Sequence, residues 1–267
     1  MDTARAKSEL TGGRFAALEW VDATGSTNSD LLERAREGAH EQVLGARHQL
    51  AGRGRLGRVW QAPPDASLLC SVLVRPDLDA ADLGAVTSAL GLAASDACRE
   101  VAGVTARLKW PNDLVVHVGS ADGGSDRKVA GILAESVLAS GRVEAVVAGI
   151  GLNVNWPDEL PEDLAPIATS LRHVAERDVD PTDLLVALLR GFEARLAAAE
   201  AEGPGALRAD YLAASATLGR RVRVERPDGE LIGHAVDVDD SGALLVDDEA
   251  GTRHVVAAGD VIHLRPL

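Results

Sequence analysis

Apolar and polar positions along the chain alternate between helical and strand spacing, and the change of spacing marks the elements. In GSTNSDLLERAREG, 25–38, Leu31, Leu32 and Ala35 fall on one helical face. Ser26 or Thr27 can cap the start of that helix and Gly38 can stop it. VLGARHQ, 43–49, reads as a strand, and SLLCSVLVR, 67–75, as a more deeply buried one because its apolar residues are almost unbroken. The alanine-rich stretch 79–101 is helical in pattern, and LVVHV resumes as a strand after Pro111. GSADGGSDR, 119–127, is a polar glycine-rich turn, and 128–137 and 143–155 complete a sheet. Asp180 can cap a long helix with Pro181 in its first turn and Leu185, Leu188, Leu189, Phe192 and Leu196 along one face. From about residue 217 short strands are broken by DG, SG and AG turns, which predicts a small all-β module. The first 20 or so residues carry few signals and are expected to be partly frayed. The whole predicts an α+β body with a mixed, mostly antiparallel sheet, followed by the β module.

Composition narrows the function classes. With 267 residues and 46% hydrophobic content, the chain can bury a substantial core in one large domain or a large and a small one. No run approaches the ~18 apolar residues that cross a bilayer, and MDTARAKSEL has no apolar stretch behind its charges. The expectation is a cytoplasmic protein without membrane contact. A net charge of -14 speaks against broad nucleic-acid binding, though not against a small basic site. Cys70 and Cys98 are the only cysteines and read as buried thiols, and the seven histidines show no zinc spacing.

Against that acidic background, AGRGRLGRVW, 51–60, holds three arginines and three glycines and no acid. Gly52, Gly54 and Gly57 satisfy G-x-G-x-x-G, but Pro63 and Pro64 follow where a dinucleotide fold needs a helix. No HRD or DFG segment follows for a kinase, and no G-K-S/T for a Walker loop. Arg53, Arg55 and Arg58 remain permanently charged planar forks on a pliable backbone. The stretch reads as an anion-binding loop, disordered when empty and closing over its ligand. Three further clusters are candidates. In KWPND, 109–113, Asn112 can read a base edge or ribose and Asp113 can hold a metal or orient a neighbour, unless the segment is only a turn. Lys128 opens the strand KVAGILAE, in which Gly131 suggests close approach of a ligand or another backbone. GIGLNVN sets Asn153 and Asn155 at a strand end, where a ligand could supply the partners of a buried amide.

Taken in order, GSTN, HQ-AGRGR-GR-W, KWPND, K-AGIL-E and G-GLNVN resemble the biotin protein ligases, over about residues 20–265. The resemblance implies a class II aminoacyl-tRNA synthetase-like catalytic domain, 19–216, after an N-terminal extension, 1–18, with an SH3-like β-barrel at 217–267. It implies that biotin and ATP form biotinyl-5′-AMP, with Mg²⁺ expected, and that biotin passes to a lysine of a biotin carboxyl carrier domain of an acyl-CoA or pyruvate carboxylase. Arg55 and Lys128 would then be catalytic. Ser26, Thr27, Asn28, Gln49, Arg53, Gly54, Arg55 and Lys128 would contact biotin, with apolar strand residues such as Leu133 on its ring. Lys109, Asn112, Asp113 and Asn153 would contact ATP or the adenylate, and Trp60 would either stack near the nucleotide or be core. The metal ligands are left open.

The sequence departs from the family pattern at Leu50, where a small or polar residue is common, and at Leu56, where an arginine is common. Only about 20 residues precede the catalytic segment, so no DNA-binding domain and no DNA partner are expected. A monomer or weak homodimer is expected. The competing readings are a lipoate ligase, a non-catalytic sensor of biotin or its adenylate, and a DNA-binding repressor.

Overall fold

Strand periodicity decides which residues of the main sheet meet the core and which meet the site. The computed structural model describes residues 1–119, 123–139, 142–162, 164–226, 229–257 and 259–264. Seven strands form the first sheet: β1 Leu18–Thr24, β2 Gln42–Gln49, β3 Ser67–Val74, β4 Arg107–Lys109, β5 Asp113–Val118, β6 Ser125–Ala139 and β7 Arg142–Asn153. Their spatial order is β1-β2-β3-β7-β6-β5-β4. Only β1 and β2 are parallel, so the sheet is mixed and mostly antiparallel as expected.

On one face, Leu68, Cys70, Val72, Ala130, Ile132, Ala148, Ile150 and Leu152 are buried in the main core. Two helices cover that face, α3 Gly84–Ala97 and α5 Pro181–Glu202. They cross closely because Gly191 has no side chain, and a Cβ there would sit 3.2 Å from the Ala93 methyl. Asp180 caps α5 by accepting the Thr182 amide at 2.7 Å, and all five apolar residues expected on one face of the helix are buried. On the opposite face, Leu31, Leu32 and Ala35 of α2 Thr27–Arg36 pack on Leu73, Val137, Ala145 and Val147. The helix predicted over 79–101 is α-helical only over 84–97, with a π turn at 98–102 closed by left-handed Gly103.

The amino-terminal residues are not frayed. They form α1 Thr3–Glu9, capped by Asp2, and Arg5 reaches Asp180 and Asp183 at the start of α5. Phe15 is buried and stacks on Phe192 at 5.3 Å between ring centres. The sequence signal was weak because this short helix buries little besides Ala6, and its docking depends on distant α5.

Two further helices are α4 Leu171–Ala175, ahead of α5, and α6 Arg208–Ala214, which leads into the second sheet. Its strands are β8 Arg221–Arg226, β9 Gly229–Val238, β10 Leu244–Asp248, β11 Arg253–Val256 and β12 Asp260–His263. They pair antiparallel in the order β11-β10-β9-β8-β12. The two sheets are joined through Trp110 of the KWPND segment. Its backbone amide donates to Thr217 Oγ1 at 3.0 Å and its indole to the Gly242 carbonyl at 2.9 Å. The polar turn predicted over 119–127 is shorter than expected, since β6 already begins at Ser125, and residues 120–122 lie outside those described. No helix among the described residues is long and apolar enough to cross a membrane.

Candidate functional site

The site lies on the α2 face of the main sheet, where glycines replace side chains. Gly131 on β6 pairs with Gly151 on β7, and Leu133 with Gly149. A Cβ on Gly149 would lie 2.0 Å from Asn28 Oδ1, and one on Gly151 would lie 2.4 Å from the Trp60 ring. The bare strands therefore admit an amide and an indole that would otherwise be excluded. Above them is a cavity of about 320 Å³ lined by residues from both sheets.

Eleven of the twelve expected site residues line that cavity: Ser26, Thr27, Asn28, Gln49, Arg53, Gly54, Arg55, Lys109, Asn112, Asp113 and Lys128. Asn153 is the exception. It is buried off the cavity and donates to the Thr169 carbonyl at 2.9 Å. Its Oδ1 is buried without a hydrogen-bond partner, whereas Asn155 finds its partners within the chain, holding both backbone polar groups of Val179 at 2.9 Å. Buried amides at this strand end are thus used to fix loops.

A continuous hydrogen-bond chain organises the start of α2. Ser71 Oγ donates to Asn28 Oδ1 at 2.6 Å, so its single proton is spent there. The 2.7 Å contact between Thr27 Oγ1 and Ser71 Oγ must then be donated by Thr27, whose one proton is shared with Gln49 Oε1 at 3.2 Å. Gln49 Oε1 accepts the Thr27 backbone amide at 2.8 Å and so takes the place of a side-chain cap. Ser26 occupies the N-cap position and lines the cavity, but its hydroxyl makes no capping bond. Either Ser26 or Thr27 was expected to cap through its side chain, and the structure gives that task to Gln49.

The arginine loop, expected to be disordered when empty, is folded over the cavity. Gly54 N donates to the Arg58 carbonyl at 2.7 Å, Trp60 N to the Gly52 carbonyl at 2.9 Å, and the chain turns through left-handed Leu56 and Gly57. Each arginine is anchored, and Arg55 and Arg58 both reach Asp260. Arg53 forms a forked pair with Glu135 at 2.9 and 3.0 Å. Arg55 donates to Asn112 Oδ1 at 3.2 Å and to the Gly259 carbonyl at 3.4 Å, and Arg58 pairs with Asp260. The β module thereby closes one side of the cavity. Lys128 Nζ pairs with Asp113 Oδ1 at 2.6 Å and lies 5.2 Å from the centre of the Trp60 ring. Trp60 is half-buried and lines the cavity, so it belongs to the site and not to the core.

The sequence reading missed Ser71 and Asp260, and it gave no role to Glu135, Gly149 and Gly151 although they stand in the K-AGIL-E and G-GLNVN motifs. A serine inside an otherwise apolar strand was the available signal for Ser71, and strand spacing from Gly131 and Leu133 was the signal for Glu135. Nothing local marks Asp260, whose role comes from the approach of a distant sheet.

The arrangement gathers five cations, Arg53, Arg55, Arg58, Lys109 and Lys128, around a cavity that also offers neutral hydroxyl and amide groups at the start of α2. It suits a ligand that is polar and uncharged at one end and anionic at the other. Residues 20–153 match the biotin/lipoate A/B protein ligase family, and residues 217–264 match the biotin protein ligase C terminal domain. The chain is 43% identical over 261 residues to the biotin–[acetyl-CoA-carboxylase] ligase of Mycobacterium tuberculosis, covering 95% of this chain and 91% of that protein. The chain belongs to the biotin/lipoate A/B protein ligase family. Within that family it is 30% identical to the bifunctional ligase/repressor BirA of Bacillus subtilis, over 94% of this chain and 75% of that protein. The structure of the Aquifex aeolicus biotin protein ligase in complex with biotin and ATP superposes with a TM-score of 0.78 at 28% identity, over 94% of this chain and all of that one.

Proposed function

We infer that this family member is an ATP-dependent biotin protein ligase, an enzyme that forms a C–N bond in two steps. A carboxylate oxygen of biotin attacks the α-phosphorus of ATP. The bond to the β-phosphate oxygen breaks and pyrophosphate leaves, giving biotinyl-5′-AMP. The neutral amine of an acceptor lysine then attacks the acyl carbon, the bond to AMP breaks, and the amine loses a proton as the amide forms. The acceptor is the biotin carboxyl carrier domain of an acyl-CoA or pyruvate carboxylase.

The observation that carries this reading is the convergence of Arg55, Lys128 and the α2 start on one cavity. The first step brings two anions together, so fixed cations are the main contribution the protein can make. Lys128 lies beside the reacting carboxylate and α-phosphate, and Arg55 spreads its charge over the phosphoryl oxygens. Ser26, Thr27 and Gln49 read the ureido group, Leu133 packs on the ring, and Arg53 and Gly54 cover the ligand. Lys109, Asn112 and Asp113 meet the nucleotide, while the position of Asn153 supports an indirect role, through the Thr169 backbone. Loop closure keeps water from the anhydride.

No group of three or more potential metal ligands occurs among the described residues, which fits an ion carried mainly by phosphate oxygens. Mg²⁺ would enter with ATP and neutralise phosphate charge, with Asp113 the carboxylate placed to join its shell. The fold reading extends likewise to a class II synthetase-like domain over 19–216, with 1–18 as its extension, and an SH3-like barrel over 217–267. Labelled pyrophosphate exchange into ATP tests the function. Exchange with biotin alone is expected. Exchange with lipoate would assign the other branch of the family, and exchange with neither would make the protein a sensor.

A further inference from the structure

Glu135 lies outside the lining of the cavity, yet it grips two groups that line it. Its Oε1 accepts Arg53 Nη2 at 2.9 Å and its Oε2 accepts Arg53 Nη1 at 3.0 Å. The same Oε2 accepts the side-chain amide nitrogen of Asn28 at 3.1 Å. The other hydrogen of that nitrogen goes to the Leu133 carbonyl at 3.0 Å. Both donors of Asn28 are therefore consumed by β6, and its oxygen sits over the bare Gly149 of β7. Its oxygen accepts from Ser71 and keeps one lone pair free. Flipping the amide would set its oxygen against a carboxylate and a carbonyl, three acceptors with no proton between them. Asn28 is buried, so water cannot relieve that clash.

We propose that Glu135 is a positioning residue that sets ligand specificity, locking Asn28 as an acceptor for a ureido N–H of biotin while seating Arg53 over the same ligand. The proposal rests on the biotin ligase reading and adds the reason for selectivity. A urea offers N–H donors to the free lone pair of Asn28, and a dithiolane ring offers none. One carboxylate thus couples recognition at the neutral end of the ligand to placement of a loop cation.

The test uses the purified full-length chain, with pyrophosphate exchange and calorimetric titration of biotin. In the unmodified protein, biotin methylated on a ureido nitrogen should bind about tenfold or more weaker than biotin. Glu135→Gln lets the facing amide donate, and so frees Asn28 to turn. It should raise KM for biotin about ten- to a hundredfold while KM for ATP stays within about twofold. Glu135→Asp should recover part of the loss. Combined with Arg53→Ala, Glu135→Gln should cost less than the product of the two single effects. Biotin affinity within about twofold of the unmodified protein in Glu135→Gln would overturn the proposal. So would equal losses for biotin and ATP with a lowered Tm, or equal binding of the methylated analogue by the unmodified protein. Absence of biotin-dependent exchange in the unmodified protein would overturn the ligase reading and this proposal with it.

Discussion

The indole of Trp60 occupies the space that a side chain on Gly151 would need, with Cε2 only 2.4 Å from the position of a Cβ there. Gly131, paired with Gly151 across β6 and β7, leaves the rest of the room: a Cβ on it would lie 2.9 Å from the same ring and 2.9 Å from Lys128 Nζ. Ring and ammonium thus share one bare patch of sheet. Gly151→Ala should displace the indole and cost about 1–3 kcal/mol by overpacking, read as a lower urea midpoint. Pyrophosphate exchange should fall with it. Trp60→Ala in the Gly151→Ala background should recover part of the stability, because the clash has gone.

Lys128 is about one-third exposed and its partner Asp113 is held in place by the sheet, so loss of the amine leaves the packing intact. Lys128→Ala should lower adenylate formation about 100- to 1,000-fold with little change in Tm. Single-turnover formation of biotinyl-5′-AMP separates this from a loss in the transfer step. Near-normal adenylation would remove Lys128 from its assigned role.

Arg55 and Arg58 are tied to the second sheet by the Gly259 carbonyl and by Asp260. Cutting either tie should loosen the loop over the intermediate. Arg55→Gly should let biotinyl-5′-AMP escape and label lysines of bystander proteins. Asp260→Ala should do so more weakly, since Arg55 keeps its bond to Asn112. Mass-spectrometric mapping of biotin on a mixture of acceptor and albumin checks both, and strict acceptor specificity in Arg55→Gly would contradict the closure argument.

What the sequence made legible follows from how local each signal is. The faces of α2, β3 and α5 were readable because burial on a regular element imposes its own spacing, as in Leu185 to Leu196. The cations of the site were readable because an arginine loop is conspicuous in an acidic chain. Ser71, Glu135 and Asp260 were not, because each acquires its role only when another segment arrives: Asn28 from α2, Arg53 from the loop, Arg58 from across the cavity. That Asn153 would lie off the cavity was not readable, for the converse reason. A glycine-flanked amide at a strand end looks the same in sequence whether it faces a ligand or braces a loop carbonyl. Gly149 and Gly151 gave no sign of which bulky group they admit.

The joint between the two sheets should make stability depend on pH. His263 on β12 is 12% exposed, and its Nδ1 faces the Arg220 guanidinium at 3.3 Å while its Nε2 meets Thr217 Oγ1 at 3.1 Å. The neutral ring fits this geometry with its proton on Nε2, donating to Thr217. A second proton, on Nδ1, would point at the cation. Burial, then the charges of Lys109 and Arg220, push its pKa down to about 4, with Asp126 opposing at 3.7 Å. An unfolded histidine titrates near 6.5. Between those values the unfolded chain binds more protons than the folded one, so stability must rise with pH across the window. Acidification from about 6.5 to about 4 should therefore cost on the order of 2–3 kcal/mol at this residue. Asp126 is held below the usual carboxylate range despite its burial, by His117, Arg220 and His263, and adds a further loss only at lower pH. Urea unfolding at a series of pH values should show the slope, and His263→Gln, which can still donate to Thr217, should flatten it. An unchanged slope in that variant would place the acid sensitivity elsewhere.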